Sequence, residues 1–278
     1  MIKAKVLYFP QSEEVKYKTS LLKLVYFIEK EVKRLVYPVL NNHYKRQDSL
    51  NYDGFIEDIE LLLIDIKERA DAEVLVLIGG LSYRAKKIRE FVTNGVINSL
   101  KGLLSVKTEP VTGVDIFKSL GNESLDEVAR SWTVTNSRLI KSIPETMLND
   151  VSLIIQTGFR EGTGIYDLKN QIQNKFGVAE NRARLIARDQ VAKLNSNYIR
   201  DEHAKLGITQ YEWVTSDDER VRESHKVMNG KICQWDSDLT YKNTPNDVQV
   251  RHRSSIRGVE KQFGEDFQCR CTCRAIIE

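Results

Sequence analysis

The chain has 278 residues, 41% of them hydrophobic, enough to bury one large core or two modest ones. Its 42 basic and 39 acidic residues leave a net charge of +3, far below that of a protein built to coat nucleic acid, so any DNA contact must come from a local patch. No run of about 18 apolar residues occurs and the first ten residues lack a signal-peptide core, which predicts a soluble protein made in a cytoplasm, with no membrane partner.

In residues 15–40, Leu21, Leu24, Val25, Ile28, Val32, Leu35 and Val36 recur every three to four positions, with Lys23, Glu29, Lys30, Lys33 and Arg34 between them. This spacing predicts an amphipathic helix with a basic outer face. Phe55, Ile59, Leu62, Leu63 and Ile66 repeat the pattern with an acidic outer face, and the two helices could pair as a hairpin. Val74 to Ile78 is an apolar run that periodicity assigns equally to a strand or a buried helix. The following Gly79-Gly80 lacks the spacing of a phosphate-cradling loop. Residues 107–113 read as a loop, and Ser124 is placed to cap the next helix.

Helices then dominate to about residue 206. The expected breaks are at Ile143-Pro144, with Pro144 as the first residue of a new helix, and at residues 158–164. Gly177 is expected to close the helix begun near Ile165, and residues 181–203 to form a further long helix that ends at Gly207. Beyond it, the aromatic and β-branched residues of 208–215 suit a strand, as do residues 267–277. The predicted fold is α+β: a mostly helical amino-terminal region over residues 1–135, then residues 136–278, helical to about 206 and closing in a small α+β module.

All four cysteines follow residue 230, unlike the spaced framework of a secreted disulfide domain. On a strand, period two puts Cys269, Cys271 and Cys273 on one face and Arg270 and Arg274 on the other. The thiols have two readings. They are small reduced core residues, or Cys269 and Cys271 join His225 and Cys233 as ligands of a tetrahedral structural zinc ion. A disulfide within Cys-x-Cys is disfavoured, because i and i+2 on a strand lie about 6.6 Å apart with parallel Cβ vectors.

Asp217, Asp218 and His225 offer the groups of a metal-dependent nuclease. Turn chemistry favours a plainer reading, in which the aspartates cap backbone amides and Asp218 pairs with Arg220 or Arg222. Trp213 is expected in the core. Arg251, His252, Arg253, Arg257 and Lys261 lie in a stretch without apolar periodicity, expected to be a solvated loop. Arg251, Arg253, Arg257 and Lys261 are its candidate contacts to phosphate, as in non-specifically bound double-stranded DNA, or to an acidic partner surface; no aromatics interleave to stack bases, so sequence-specific single-strand recognition is not expected. His43 and His203 read as ordinary surface or packing residues. No nucleophile elbow, Walker motif, dinucleotide fingerprint or His-Glu-x-x-His element occurs, so neither an enzyme nor a small-molecule substrate is expected.

Five segments in order resemble the Mu F-like family of phage head morphogenesis proteins: residues 136–144 (NSRLIKSIP), 181–190 (NRARLIARDQ), 211–225 (YEWVTSDDERVRESH), Asn229-Gly230 and 264–271 (GEDFQCRC). The resemblance covers roughly residues 136–278. It implies a minor capsid protein of a tailed phage, acting with the portal and other head proteins in head assembly and DNA packaging, and in some members bound to the packaged DNA. The implied location is the virion, at the head interior or portal vertex, after assembly in the host cytoplasm. Some relatives place a Cys-x-x-Cys pair where this chain has Arg222 and His225, so only His225 keeps a ligand role here. Residues 235–261 are longer and more basic than the short loop usual in the family. The expected contribution of the module is structural: Trp213 anchors it, Asp218 is paired with Arg220 or Arg222, and the cysteine strand closes it.

Overall fold

The computed structural model describes residues 2–46, 52–107, 125–219, 221–236, 240–256 and 258–277. The expected loop beyond Lys107, the cap at Ser124, Arg220 and Arg257 lie outside these residues. The architecture is α+β, as expected, with long helices and one antiparallel sheet. Two compact units can be distinguished, both discontinuous in sequence. A helical unit comprises Val15–Leu81 and Thr133–Ala187, and a sheet unit comprises Met1–Glu14, Ser82–Trp132 and Arg188–Glu278. A single cut at residue 135 therefore does not coincide with them.

In the helical unit, α1 (Gln11–Glu31) continues through a π-helical turn (Val32–Val36) into α2 (Tyr37–Arg46). Of the stripe read from the sequence, Leu21, Leu24, Val25, Ile28, Val32 and Val36 are fully shielded from solvent or nearly so, as is Leu40, while Leu35 is half-buried. Helix α3 (Tyr52–Gly79) buries Ile59, Leu63, Ile66, Ala70 and Val74. The ambiguous run Val74 to Ile78 is thus helical, and Val74 alone among those residues is buried. Buried polar groups find partners: the Tyr17 hydroxyl donates to Asn136 Oδ1 at 2.7 Å, and Glu31 accepts from Arg34 at 2.6 Å and pairs with Arg69 at 2.7 Å.

Among the described residues, helix α4 (Leu81–Lys107) is followed by α5 (Leu125–Arg160) and α6 (Ile165–Lys205). Two expected breaks do not occur. Pro144 sits inside α5, and Gly177 sits inside α6. An interior proline costs about 3 kcal/mol and a glycine about 1. Around Pro144, Ile140, Ile143, Met147, Leu148 and Val151 are all buried, and around Gly177 so are Ile172, Phe176 and Ala183. Each such side chain contributes about 1.5–3 kcal/mol by leaving water, which outweighs the local defect. The expected break at 158–164 and the helix end at Gly207 are present, with Gly207 at φ +67 and Ile208 N donating to His203 O at 2.9 Å.

The sheet unit holds six strands in the order β1-β6-β2-β3-β4-β5. These are β1 (Ile2–Lys3), β2 (Gln210–Val214), β3 (Ile232–Gln234), β4 (Thr240–Lys242), β5 (Arg251–His252) and β6 (Thr272–Ile277). All neighbours are antiparallel. Three features were not read from the sequence. The first residues pair with β6, Ile2 opposite Ile277. The stretch expected to be a solvated basic loop, residues 251–261, opens with β5, and β4 precedes it. The last strand begins at Thr272 rather than near Phe267, because Gln268 adopts φ 57, which extended backbone does not permit. Strand β2 is buried along Gln210 to Trp213, and a short helix α7 (Glu223–Met228) precedes β3.

Candidate metal centre

The polar centre of the sheet unit is assembled by three local devices. Strand β2 carries Trp213, fully buried, into the core. The chain then turns through Asp217 at φ 51, a left-handed conformation that aspartate tolerates, and α7 follows from an extended Arg222. Arg222 donates to Phe267 O at 2.6 Å, tying the start of α7 to the segment before β6. In that segment Gly264 has φ +74, and a Cβ there would lie 3.0 Å from Ala192 O, so only glycine lets the backbone approach α6 this closely.

The result brings His225, Cys269 and Cys271 together, each at most 4% exposed. Both sulfur atoms lie 3.5 Å from the same ring nitrogen, His225 Nδ1. The opposite nitrogen, Nε2, is 3.1 Å from Asp266 Oδ2, and Gly264 N donates to Cys269 Sγ at 3.3 Å. Burial alone would lower the His225 pKa, but the bonds to Asp266 and Cys269 outweigh it and raise it to about 9. The hydrogen bond from Cys271, with the nearby imidazole, holds Cys269 well below the ordinary thiol value. Its partner Cys271 is raised. The arrangement supports a thiolate beside an imidazolium, or two thiolates and an imidazole around an ion.

Of the four residues read as zinc ligands, three converge and Cys233 does not. Its thiol lies beside Tyr211 and Arg253, where burial raises its pKa. Nor do Cys269, Cys271 and Cys273 form one strand face. Cys273 alone belongs to β6, where it is fully buried and burial raises its pKa well above the ordinary value. All four cysteines are free thiols.

Asp218 pairs with Arg270, and Arg222 donates to Phe267 O; the expected alternative partner, Arg220, lies outside the described residues. Arg270 is held close because the segment before β6 folds back over the Asp217-Asp218 turn, an adjacency that sequence proximity hides. His225, Cys269 and Cys271, with Asp218, Arg188, Arg222 and Arg270, line one pocket of about 230 Å³. Asp266, in no role assigned from the sequence, is the residue that fixes the imidazole. Its signal was its position three residues before Cys269.

The basic set is dispersed. Arg253 is fully buried, stacked 5.6 Å from the Trp213 ring, and donates to Lys261 O at 2.7 Å and Gln262 Oε1 at 3.2 Å. Such a guanidinium serves the core and reaches no phosphate. Arg251 is held by Asp247 at 2.6 Å, while Lys261 is exposed. His43 stacks on Phe55 with ring centroids 4.1 Å apart, and His203 is fully buried, so both are packing residues.

Residues 149–274 match the family described as Phage Mu protein F like protein, a little under half of the chain. The resemblance read from the motifs therefore holds over this region, which contains every residue of the polar centre. An uncharacterized protein of Haemophilus influenzae (strain ATCC 51907 / DSM 11121 / KW20 / Rd) is 33% identical over 176 residues. That alignment covers 63% of this chain and 35% of the relative, so the chain spans about a third of that relative's length. No solved structure matches.

Proposed function

We propose that this chain, whose residues 149–274 are Mu F-like, is a structural, non-enzymatic minor head protein of a tailed phage. In this reading it acts with the portal and other head proteins in head assembly and DNA packaging at the portal vertex. The observation that carries the reading is where the match falls: it encloses the buried Trp213, His225, Cys269 and Cys271 and the half-buried Asp266 that bonds the imidazole.

The helical unit supplies the docking face. Along α3, Leu61, Ile64, Leu75 and Val76 are 53–72% exposed, although each is a side chain that burial would stabilise. Exposed apolar groups concentrated on one element support a partner surface there. A nuclease has less support, since Asp218 is neutralised by Arg270 and two thiols surround His225. Among the described candidates, DNA contact rests on Lys261, with Arg251 already engaged by Asp247.

The test is co-expression with the portal and head proteins of the same phage, followed by mass spectrometry of purified heads. A Leu75→Lys, Val76→Lys double variant should melt as the unsubstituted chain does, because both side chains are exposed, yet be lost from heads. Undiminished incorporation refutes the docking face. Plasmid cleavage in Mg²⁺, Mn²⁺ or Zn²⁺ that disappears in His225→Ala replaces the whole reading with a nuclease.

A further inference from the structure

We propose that His225, Cys269 and Cys271 bind one zinc ion through Nδ1 and two thiolates, with Asp266 as the positioning residue and a fourth coordination position facing the neighbouring pocket. The inference goes beyond an assembly role and does not depend on it. The decisive geometry is the pair of equal 3.5 Å separations from Nδ1 to the two sulfurs. A ring nitrogen has one in-plane direction, which serves one hydrogen-bond partner well and two poorly. One ion between all three atoms satisfies them together.

The separation itself fits that ion. With Zn–N of about 2.05 Å, Zn–S of about 2.3 Å and a tetrahedral angle, the nitrogen and each sulfur must lie about 3.6 Å apart. The ligand atoms also all lie within 4.8 Å of one another. Two thiolates and an imidazole select zinc over the oxygen-seeking magnesium and calcium. Metal-bound histidines commonly give their other ring nitrogen to a carboxylate, and Asp266 Oδ2 stands 3.1 Å from Nε2. No fourth protein ligand approaches among the described residues, Cys233 being elsewhere. All three ligands line the same pocket, so solvent or a small anion completes the coordination.

The experiment is elemental analysis of the full chain, expressed with zinc supplied and purified without chelator, followed by exchange with Co²⁺. One zinc per chain is expected, with thiolate-to-cobalt charge-transfer absorption after exchange. Cys269→Ser and Cys271→Ser should each abolish that absorption, and Cys233→Ser should leave it intact. Asp266→Asn should retain the stoichiometry while weakening zinc about 10–100-fold in competition with a chromogenic chelator. A zinc-free wild-type chain overturns the proposal without reference to how any variant folds. So does zinc content that the Cys269→Ser, Cys271→Ser double variant retains, or loss of zinc on Cys233→Ser alone.

Discussion

His203 makes the stability of the sheet unit depend on pH in a window where most proteins are still comfortable. Its ring is fully buried, and Nδ1 accepts from Trp235 Nε1 at 3.1 Å, while Nε2 is buried with no hydrogen-bond partner among the described residues. A proton on Nδ1 would oppose the tryptophan N–H, and a charge there would be desolvated. Burial accordingly lowers the pKa from 6.5 to about 3. A depressed folded-state value means that the unfolded chain binds the proton first as pH falls. Stability from this group is therefore complete above about pH 6.5 and is lost progressively from there towards pH 3. The slope approaches about 1.4 kcal/mol per pH unit, so the loss is about 2 kcal/mol at pH 5. Urea unfolding at pH 7 and pH 5, at fixed ionic strength, measures it. His203→Asn keeps an acceptor for Trp235 without a titrating group and should be about 2 kcal/mol less sensitive to that change than the wild type. Equal sensitivity in the two proteins would refute the reasoning.

Two further outcomes follow from the polar centre. Asp218→Ala and Arg270→Ala should each lower stability by about 1 kcal/mol, the modest figure set by partial exposure of both groups. The double variant should lose no more than either alone, whereas additive losses in urea melts would show that the two side chains do not act as a pair. Arg253→Ala removes a buried guanidinium from Trp213, Lys261 O and Gln262, and should cost about 3–5 kcal/mol. It should leave the salt dependence of any DNA affinity unchanged, because the group does not reach solvent. A reduced salt slope in a DNA titration would contradict its placement.

How far the sequence reached can be followed along particular residues. Leu21, Ile28, Val36, Ile59 and Ile66 announced their helices because each helix buries one stripe of its own surface, and a stripe is a local pattern. Gly207 announced a helix end because only the local backbone is involved. Pro144 and Gly177 misled because their penalties are local while the burial that overrides them comes from residues distant in sequence. The same distance concealed β1, which exists only where the last strand offers it an edge.

The candidate site divides in the same way. By itself the sequence determined the donor types, namely one histidine and a Cys-x-Cys pair within a Mu F-like region, since these are properties of residue identity and order. Only the tertiary structure decided which of them meet. The left-handed turn at Gln268 and the late start of β6 at Thr272 release Cys269 and Cys271 to His225, while the strand keeps Cys273 in the core. Asp266 and Arg270 received their partners, and Arg253 its burial, from the same closure of distant segments. Periodicity says which way a side chain points along its own element. What it points at is fixed by the packing of elements far apart in the chain, and that packing is what turned four cysteines into two neighbours of His225 and two residues of the core.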